Sequence, residues 1–149
     1  MTETIHGTAL VFGTTGLLIR GPSASGKSLL ARDLLSQAKA LSIHGSLISD
    51  DRVKLSVKGG RLIGEAMPQT AGLIEIRNRG IAETRFQKSA IIRLIVDFAP
   101  PPDLERMPEE AELQTEIMGL TLPRQMLPAG QRVALDIVCE ALKQAVARA

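Results

Sequence analysis

The sequence predicts a single α/β domain in which a central β-sheet carries one helix directly after a glycine-rich loop and a second helix at the C-terminus. Three observations predict this fold class. The apolar run GLLIRG leads into the loop GPSASGKS, which is followed by apolar residues at helical spacing. Several short apolar runs bounded by Gly and Pro come next, and residues 131–147 again show helical spacing. A chain of 149 residues fits one domain, residues 1–149.

In the first half of the chain, strands surround one helix. TALVFG and GLLIRG are predicted as two strands joined by a tight turn at residues 13–16. Residues 27–39 are predicted as a helix that packs on the sheet, because every third or fourth residue is apolar. Its apolar face comprises Leu30, Ala31, Leu34, Leu35 and Ala38, and its outer face comprises Arg32, Asp33 and Ser36. SLISDD is predicted as a buried strand ending in two carboxylates, and VKLSV with RLIGEA as a hairpin around Gly59 and Gly60.

The second half of the chain contains further strands and the final helix. GLIEIR and AIIRLIVDF are predicted strands, and three prolines at 100–102 end the second one. Within residues 103–130, EEAELQ predicts a short helix and TLPRQML an extended segment. The final helix has an apolar face that comprises Ala134, Ile137, Val138, Ala141, Leu142 and Ala145.

Composition and charge exclude several classes of function. The 18 basic and 16 acidic residues are interspersed, and the chain lacks Trp and Tyr, so neither a basic stripe nor stacking aromatics favour a nucleic-acid partner. Cys139, the single cysteine, lies in an apolar helical pattern and is interpreted as a core residue. The N-terminal residues lack the features of a signal peptide, and no apolar run approaches membrane-spanning length. We therefore expect a cytoplasmic protein with no membrane partner.

The loop after the second strand has the pattern of a phosphate-binding loop, or P-loop. It comprises Gly21, Pro22, Ser23, Ala24, Ser25, Gly26, Lys27 and Ser28. Its two glycines let backbone N–H groups converge on phosphates at a helix N-terminus, while Lys27 reaches the outer phosphates and Ser28 ligates Mg²⁺. A plain glycine-rich turn before a helix would not require the Lys-Ser pair. The motif and its strand and helix context therefore predict binding of a nucleoside triphosphate.

Two adjacent carboxylates follow the next predicted strand. Asp50 and Asp51 are candidates for the second metal ligand of a P-loop enzyme, and one of them is a candidate general base for an attacking hydroxyl. Adjacent strand residues point to opposite faces, so one carboxylate is expected to face the acceptor. A solvated acidic pair at a strand end is an equally weighted interpretation. The Asn-Lys-x-Asp element of GTPases is absent, which disfavours guanine nucleotides.

Four elements taken together resemble one known family. They are HG at residues 6–7, the P-loop, DDRV at 50–53 and IEIRNRGI at 74–81. Their order and approximate spacing resemble the catalytic C-terminal domain of HPr kinase/phosphorylase, across nearly the whole chain. The resemblance implies a P-loop kinase-like domain in a minimal form that lacks the family's N-terminal domain. Asn78 and Arg79 depart from the family signature, which has Gly and a small apolar residue there.

The resemblance also implies roles for individual residues. Lys27 and Ser28 would hold phosphates and metal, Asp51 would act as the base, His6 would support that aspartate, and Glu75 would ligate the metal. Asp50 is then left as a further metal ligand.

Two arginines in later loops are implicated by the same resemblance. Arg106, in LERMP, matches a catalytic loop arginine. Arg132 ends LPAGQR, which resembles the loop assigned to dephosphorylation. The family further implies ATP and Mg²⁺ as cofactors, HPr as protein substrate and a hexameric assembly.

Two other functions remain open at this point. A P-loop kinase for a small metabolite would share the nucleotide site and would use residues 103–130, with Arg106 and Arg124, as a mobile lid. A regulatory module that binds nucleotide without turnover is the second alternative. We expect an ATP-dependent serine kinase that phosphorylates HPr and, in reverse, dephosphorylates it with release of pyrophosphate.

Overall fold

The structure is a computed structural model that describes residues 1–147. The last two residues of the predicted domain, Arg148 and Ala149, lie outside the described residues. The strands are β1 (Thr2–His6), β2 (Thr8–Phe12), β3 (Thr15–Arg20), β4 (Gly45–Ser49), β5 (Arg52–Lys58), β6 (Arg61–Glu65), β7 (Leu73–Ile76), β8 (Gly80–Glu83), β9 (Ser89–Ala99), β10 (Gln114–Ile117) and β11 (Leu120–Pro128). The helices are α1 (Lys27–Ala40) and α2 (Leu135–Ala147), with short 3-10 helices at Pro68–Thr70, Pro101–Asp103 and Glu110–Leu113.

The main sheet is mixed and is organised around β9. Its strand order is β1-β5-β6-β9-β3-β2-β4, and β11 adds to β9 while β10 pairs with β11. β9 runs parallel to β3 on one side. On its other side it pairs first with antiparallel β6 and then with parallel β11. β7 and β8 form a separate antiparallel hairpin.

The sheet has a hydrophobic cluster on each face. One cluster packs α1 and α2 against the central strands, and it includes Leu17, Ile19, Leu34 and Val138. The other joins the outer face of β2, β3 and β4 to residues of β5, β6 and the β10–β11 hairpin. The two helices thus cover one face of the described sheet, while the sheet itself curls over the other face.

Most predicted elements are confirmed. The β2–β3 and β5–β6 hairpins, α1, β4, β7, β9, the short helix at 110–113 and the extended β11 lie where the sequence predicts them. β1, β8 and β10 were not predicted. β1 is an exposed edge strand in which only Ile5 is half-buried, so it lacks an apolar signal.

The prediction for the C-terminal helix requires correction. It begins at Leu135 rather than residue 131, and only Val138, Leu142 and Ala145 of its predicted apolar face are buried. Ile137 is 41% exposed because a helix lying on the sheet buries one narrow stripe. Cys139, interpreted as a core residue, lies beside that stripe and is half-buried.

Candidate active site

The P-loop joins the end of β3 to the start of α1 at one edge of the central strands. A Cβ atom at Gly21 would lie 2.8 Å from the Cβ of Phe98, so no side chain fits there without movement. Gly26 caps α1 with a φ of 113°, a conformation that L-residues with side chains rarely adopt. The backbone N–H groups that follow lie at a helix N-terminus, where the helix dipole favours an anion. The loop thus has the glycine conformations and the adjoining helix N-terminus that a phosphate-binding loop requires.

Lys27 lies across the P-loop. Its Nζ donates hydrogen bonds to the carbonyl oxygens of Gly21 at 2.8 Å and of Pro22 at 2.9 Å. Burial lowers the pKa of Lys27 below its usual 10.5, while the negative charges of Asp51 and Asp50 act in the opposite direction. The ammonium group is therefore held across the loop by two neutral acceptors.

Asp50 is a buried carboxylate surrounded by hydrogen-bond donors. It accepts hydrogen bonds from the hydroxyl of Thr8 at 2.8 Å and from the backbone N–H of Glu75 at 3.0 Å. The hydroxyl of Ser28 lies 2.8 Å from one carboxylate oxygen and 3.0 Å from the other. These contacts join the first turn of α1 to the ends of β4 and β7. Asp50 is therefore fixed in orientation and only 7% exposed.

Asp51 has a different environment from its neighbour. Its side chain is 74% exposed, and its carboxylate lies 2.8 Å from Nε2 of His6. Its φ of 70° places it in the left-handed region, in the turn between β4 and β5. This turn, rather than the strand alternation expected from the sequence, sends the two carboxylates in different directions. His6 reaches Asp51 because β1 pairs with β5, with His6 opposite Arg52.

These groups line one cleft of about 220 Å³. The lining comprises His6, Thr8, Ser23, Ala24, Gly26, Lys27, Ser28, Leu29, Arg32, Asp50, Asp51, Glu75 and Arg77. Two larger cavities, of about 390 and 510 Å³, lie along β11 and α2. We assign the site to the smaller cleft because the P-loop, His6 and the three carboxylates converge there. Larger volume alone does not provide reacting groups.

Oxygen donors in the cleft fit a magnesium ion. Within residues 1–147 there is no cluster of three or more His, Cys, Asp or Glu side chains arranged to hold a metal. Mg²⁺ does not require such a cluster, because proteins usually bind it through one or two carboxylates, waters and substrate phosphates. The hydroxyl of Ser28 lies against Asp50, and the exposed Glu75 lines the same cleft. The donor set therefore matches the chemistry of a nucleotide-bound Mg²⁺.

Arg132 and Arg106, the two loop arginines, lie in different surroundings. Arg132 forms two contacts with the carboxylate of Asp33 on α1, at 2.6 and 3.2 Å. Gly130, two residues earlier, donates its N–H to the carbonyl of Ser25 in the P-loop at 3.0 Å. The LPAGQR loop is thus attached to the P-loop and α1. Arg106 is exposed in another loop and does not line the cleft.

Some residues of the cleft were not identified from the sequence. Thr8 is fully buried and orients Asp50, but a threonine at a strand start carries no recognisable signal. Arg32 was predicted to point away from the domain, yet it is half-buried and lines the cleft. Arg77 lines it as well, from the turn after β7. The cleft thus carries three cations, Lys27, Arg32 and Arg77, beside its three carboxylates.

Comparison with known proteins decides the family. The sequence profile described as HPr serine kinase C-terminal domain matches residues 1–148. The chain belongs to the HPr serine kinase C-terminal domain family. The resemblance inferred from the HG, P-loop, DDRV and IEIRNRGI elements is confirmed by this match.

Relatives within the HPr serine kinase family are distant. The chain is 31% identical over 150 residues to the HPr kinase/phosphorylase of Chromobacterium violaceum, covering 92% of this chain and 45% of that protein. It is 30% identical over 151 residues to that of Bordetella petrii, covering 94% of this chain and 47% of the relative. The chain thus spans somewhat less than half the length of these curated relatives.

A solved structure has the same fold as this chain. The structure of the Hpr(Ser) kinase/phosphatase from Coxiella burnetii superposes with a TM-score of 0.77 at 22% identity. The match covers 97% of this chain and 90% of that chain.

Neither helix in the described part of the chain is both long and apolar enough to cross a membrane.

Proposed function

We propose that this domain transfers the γ-phosphoryl group of ATP to a serine of HPr and, in reverse, removes it with inorganic phosphate. The family to which the chain belongs supports the reaction class. The observation that carries the proposal is the contrast between two adjacent carboxylates. Asp50 is buried and hydrogen-bonded to Ser28, whereas Asp51 is exposed and paired with His6. This contrast supports a role for Asp50 at the nucleotide and a role for Asp51 at the acceptor.

In the forward direction Asp51 acts as the general base. Its exposed carboxylate accepts the proton from the serine hydroxyl of HPr as the serine oxygen attacks the γ-phosphorus. The bond from that phosphorus to the bridging oxygen breaks, and ADP leaves. His6 lies 2.8 Å from Asp51 and holds the carboxylate in the direction of the acceptor. General acid–base catalysis of this kind contributes about 10²–10⁴-fold to a rate.

The P-loop side of the cleft binds the nucleotide. Lys27 exchanges its two carbonyl partners for β- and γ-phosphate oxygens, and the loop N–H groups hold the same phosphates. Ser28, Asp50 and Glu75 are the residues that would hold Mg²⁺. When bound, this ion would neutralise charge on the phosphates. Arg32 and Arg77 add positive charge at the cleft wall.

In the reverse direction the same groups act with opposite proton transfer. Inorganic phosphate attacks the phosphorus of phosphoserine and pyrophosphate forms, while protonated Asp51 returns its proton to the departing serine oxygen. The loop that ends at Arg132 lies against the P-loop through Gly130, and this contact supports a role for the loop in binding the incoming phosphate. Arg106 is proposed to assist transfer from outside this cleft, in a hexamer of cytoplasmic subunits.

The proposal is tested by incubating the protein with labelled ATP, Mg²⁺ and either HPr or a panel of small hydroxyl compounds. Transfer of label to a serine of HPr is the expected result. Transfer to a metabolite alone would identify a small-molecule kinase, and nucleotide binding without transfer would identify a regulatory module. Release of pyrophosphate from phosphorylated HPr and inorganic phosphate tests the reverse reaction, and light scattering tests the hexamer.

A further inference from the structure

A second group of charged residues lies directly beneath the entrance to the P-loop. Arg20 is the last residue of β3, immediately before Gly21. Its Nε and one terminal nitrogen donate hydrogen bonds of 2.7 Å each to the two carboxylate oxygens of Asp97 on β9. This is the bidentate arrangement in which a planar guanidinium fixes both the distance and the direction of a carboxylate.

The pair is shielded from solvent and extends to a third strand. The side chains of Arg20 and Asp97 are only 28% and 15% exposed. Arg124 on β11 approaches the same carboxylate at 3.7 Å, and its Nε donates a hydrogen bond to the carbonyl of Glu112 at 3.1 Å. Partly buried charges are screened by salt much less than surface pairs. Asp97 therefore links β3, β9 and β11 at one point.

This point coincides with the end of backbone pairing. Arg20 and Asp97 are the last paired residues of β3 and β9. Backbone pairing between these strands therefore includes no residue of the P-loop. The next residue of β9, Phe98, lies beneath Gly21, where an added Cβ would approach it to 2.8 Å. The carbonyl of Gly21 in turn accepts a hydrogen bond from Nζ of Lys27. A shift of Arg20 would thus move the carbonyl oxygens of Gly21 and Pro22, which hold the ammonium group of Lys27 in position.

We infer that Arg20 and Asp97 are positioning residues for the P-loop: their ion pair holds Gly21 and Pro22 where the loop and Lys27 can bind phosphates. This inference rests on the proposed nucleotide site and goes beyond it, because neither residue lines the cleft. A pair that served stability alone would lower the free energy of unfolding and leave the affinity of the folded protein for nucleotide unchanged. The two roles are therefore separable by experiment.

The first test compares substitutions at Arg20 with a matched arginine elsewhere. Arg20→Gln removes the charge and the bidentate contact, Arg20→Lys keeps the charge alone, and Arg61→Gln removes an exposed arginine of β6 that lies outside the cleft. The probe is a non-hydrolysable ATP analogue with Mg²⁺, measured by calorimetry at a temperature where every variant is folded. Loss of a charge-assisted contact predicts an affinity about tenfold weaker for Arg20→Gln. Arg20→Lys should bind with intermediate affinity and Arg61→Gln like the unmodified protein.

The second test does not depend on nucleotide. Amide hydrogen exchange in the P-loop should be faster in Arg20→Gln and in Asp97→Asn, and the double variant should exchange no faster than the faster single variant. Unchanged affinity and unchanged exchange in folded Arg20→Gln would overturn the inference while leaving the proposed function intact. Failure of the unmodified protein to bind the analogue would overturn the proposed function and this inference together.

Discussion

Replacing Asp51 by asparagine distinguishes a general base from a metal ligand. The substitution keeps the size of the side chain but removes its capacity to take the serine proton. Asparagine also tolerates the left-handed conformation that Asp51 adopts, with its φ of 70°, better than alanine does. Because the side chain is 74% exposed, its pair with His6 contributes at most about 1 kcal/mol to stability. The fold and the nucleotide site should therefore survive the change.

The expected result is a loss of transfer without a loss of binding. Phosphoryl transfer to HPr should fall by about 10²–10⁴-fold in Asp51→Asn. The affinity for the ATP analogue should change little. Single-turnover transfer to HPr measures the first quantity, and calorimetry the second. His6→Ala should also slow transfer, and the double variant should lose less than the product of the single losses, since the two side chains act as one unit.

Asp50→Asn is the matched control. It removes one acceptor oxygen from a carboxylate that receives hydrogen bonds from Thr8, Ser28 and the Glu75 backbone. Leaving a buried donor unsatisfied costs about 1–3 kcal/mol, so this variant should lose stability and metal-dependent nucleotide binding together. If Asp51→Asn transfers normally, the assignment of the base to Asp51 is refuted. The role belongs to Asp50 if, in addition, Asp50→Asn binds the nucleotide but does not transfer.

Four further predictions address the P-loop and the metal. Lys27→Ala should abolish turnover. Its loss of unfolding free energy, measured by chemical denaturation, should be smaller than that of a core truncation, which is about 2–5 kcal/mol. A larger loss would show that Lys27 has a structural role. Burial lowers the pKa of Lys27 below 10.5, and phosphates bind its protonated form, so nucleotide affinity should fall as pH rises through that lowered pKa. A pH titration of affinity in which Lys27→Arg shows the same alkaline decline would contradict this origin. Glu75→Gln should raise the Mg²⁺ concentration needed for half-maximal turnover, because it removes an anionic ligand; an unchanged Mg²⁺ requirement would exclude Glu75 from the metal site. Gly21→Ala should weaken nucleotide binding, because its Cβ would meet Phe98 at 2.8 Å; equal affinity would show that the loop adjusts.

Local patterns predicted the elements that depend on neighbouring residues. α1 and the P-loop were predictable because helical spacing and glycine placement act over a few residues. The edge strand β1 was not predictable, because it packs too few apolar side chains to leave an alternating pattern. The exposure of Ile137 was also not predictable. Helical spacing defines the apolar face of a helix but not how much of that face the sheet covers.

The sequence by itself predicted a phosphate-binding loop and indicated the family, while the tertiary structure decided which distant residues lie beside that loop. GPSASGKS carries its own backbone requirements, so a phosphate-binding loop can be predicted from this one segment. The contact of His6 with Asp51 and that of Arg20 with Asp97 join residues 45 and 77 positions apart. Such contacts follow from strand pairing, in which β1 lies beside β5 and β3 beside β9. The physical reason is that pairing depends on the packing of the whole sheet, whereas loop and helix propensities depend on the chain nearby.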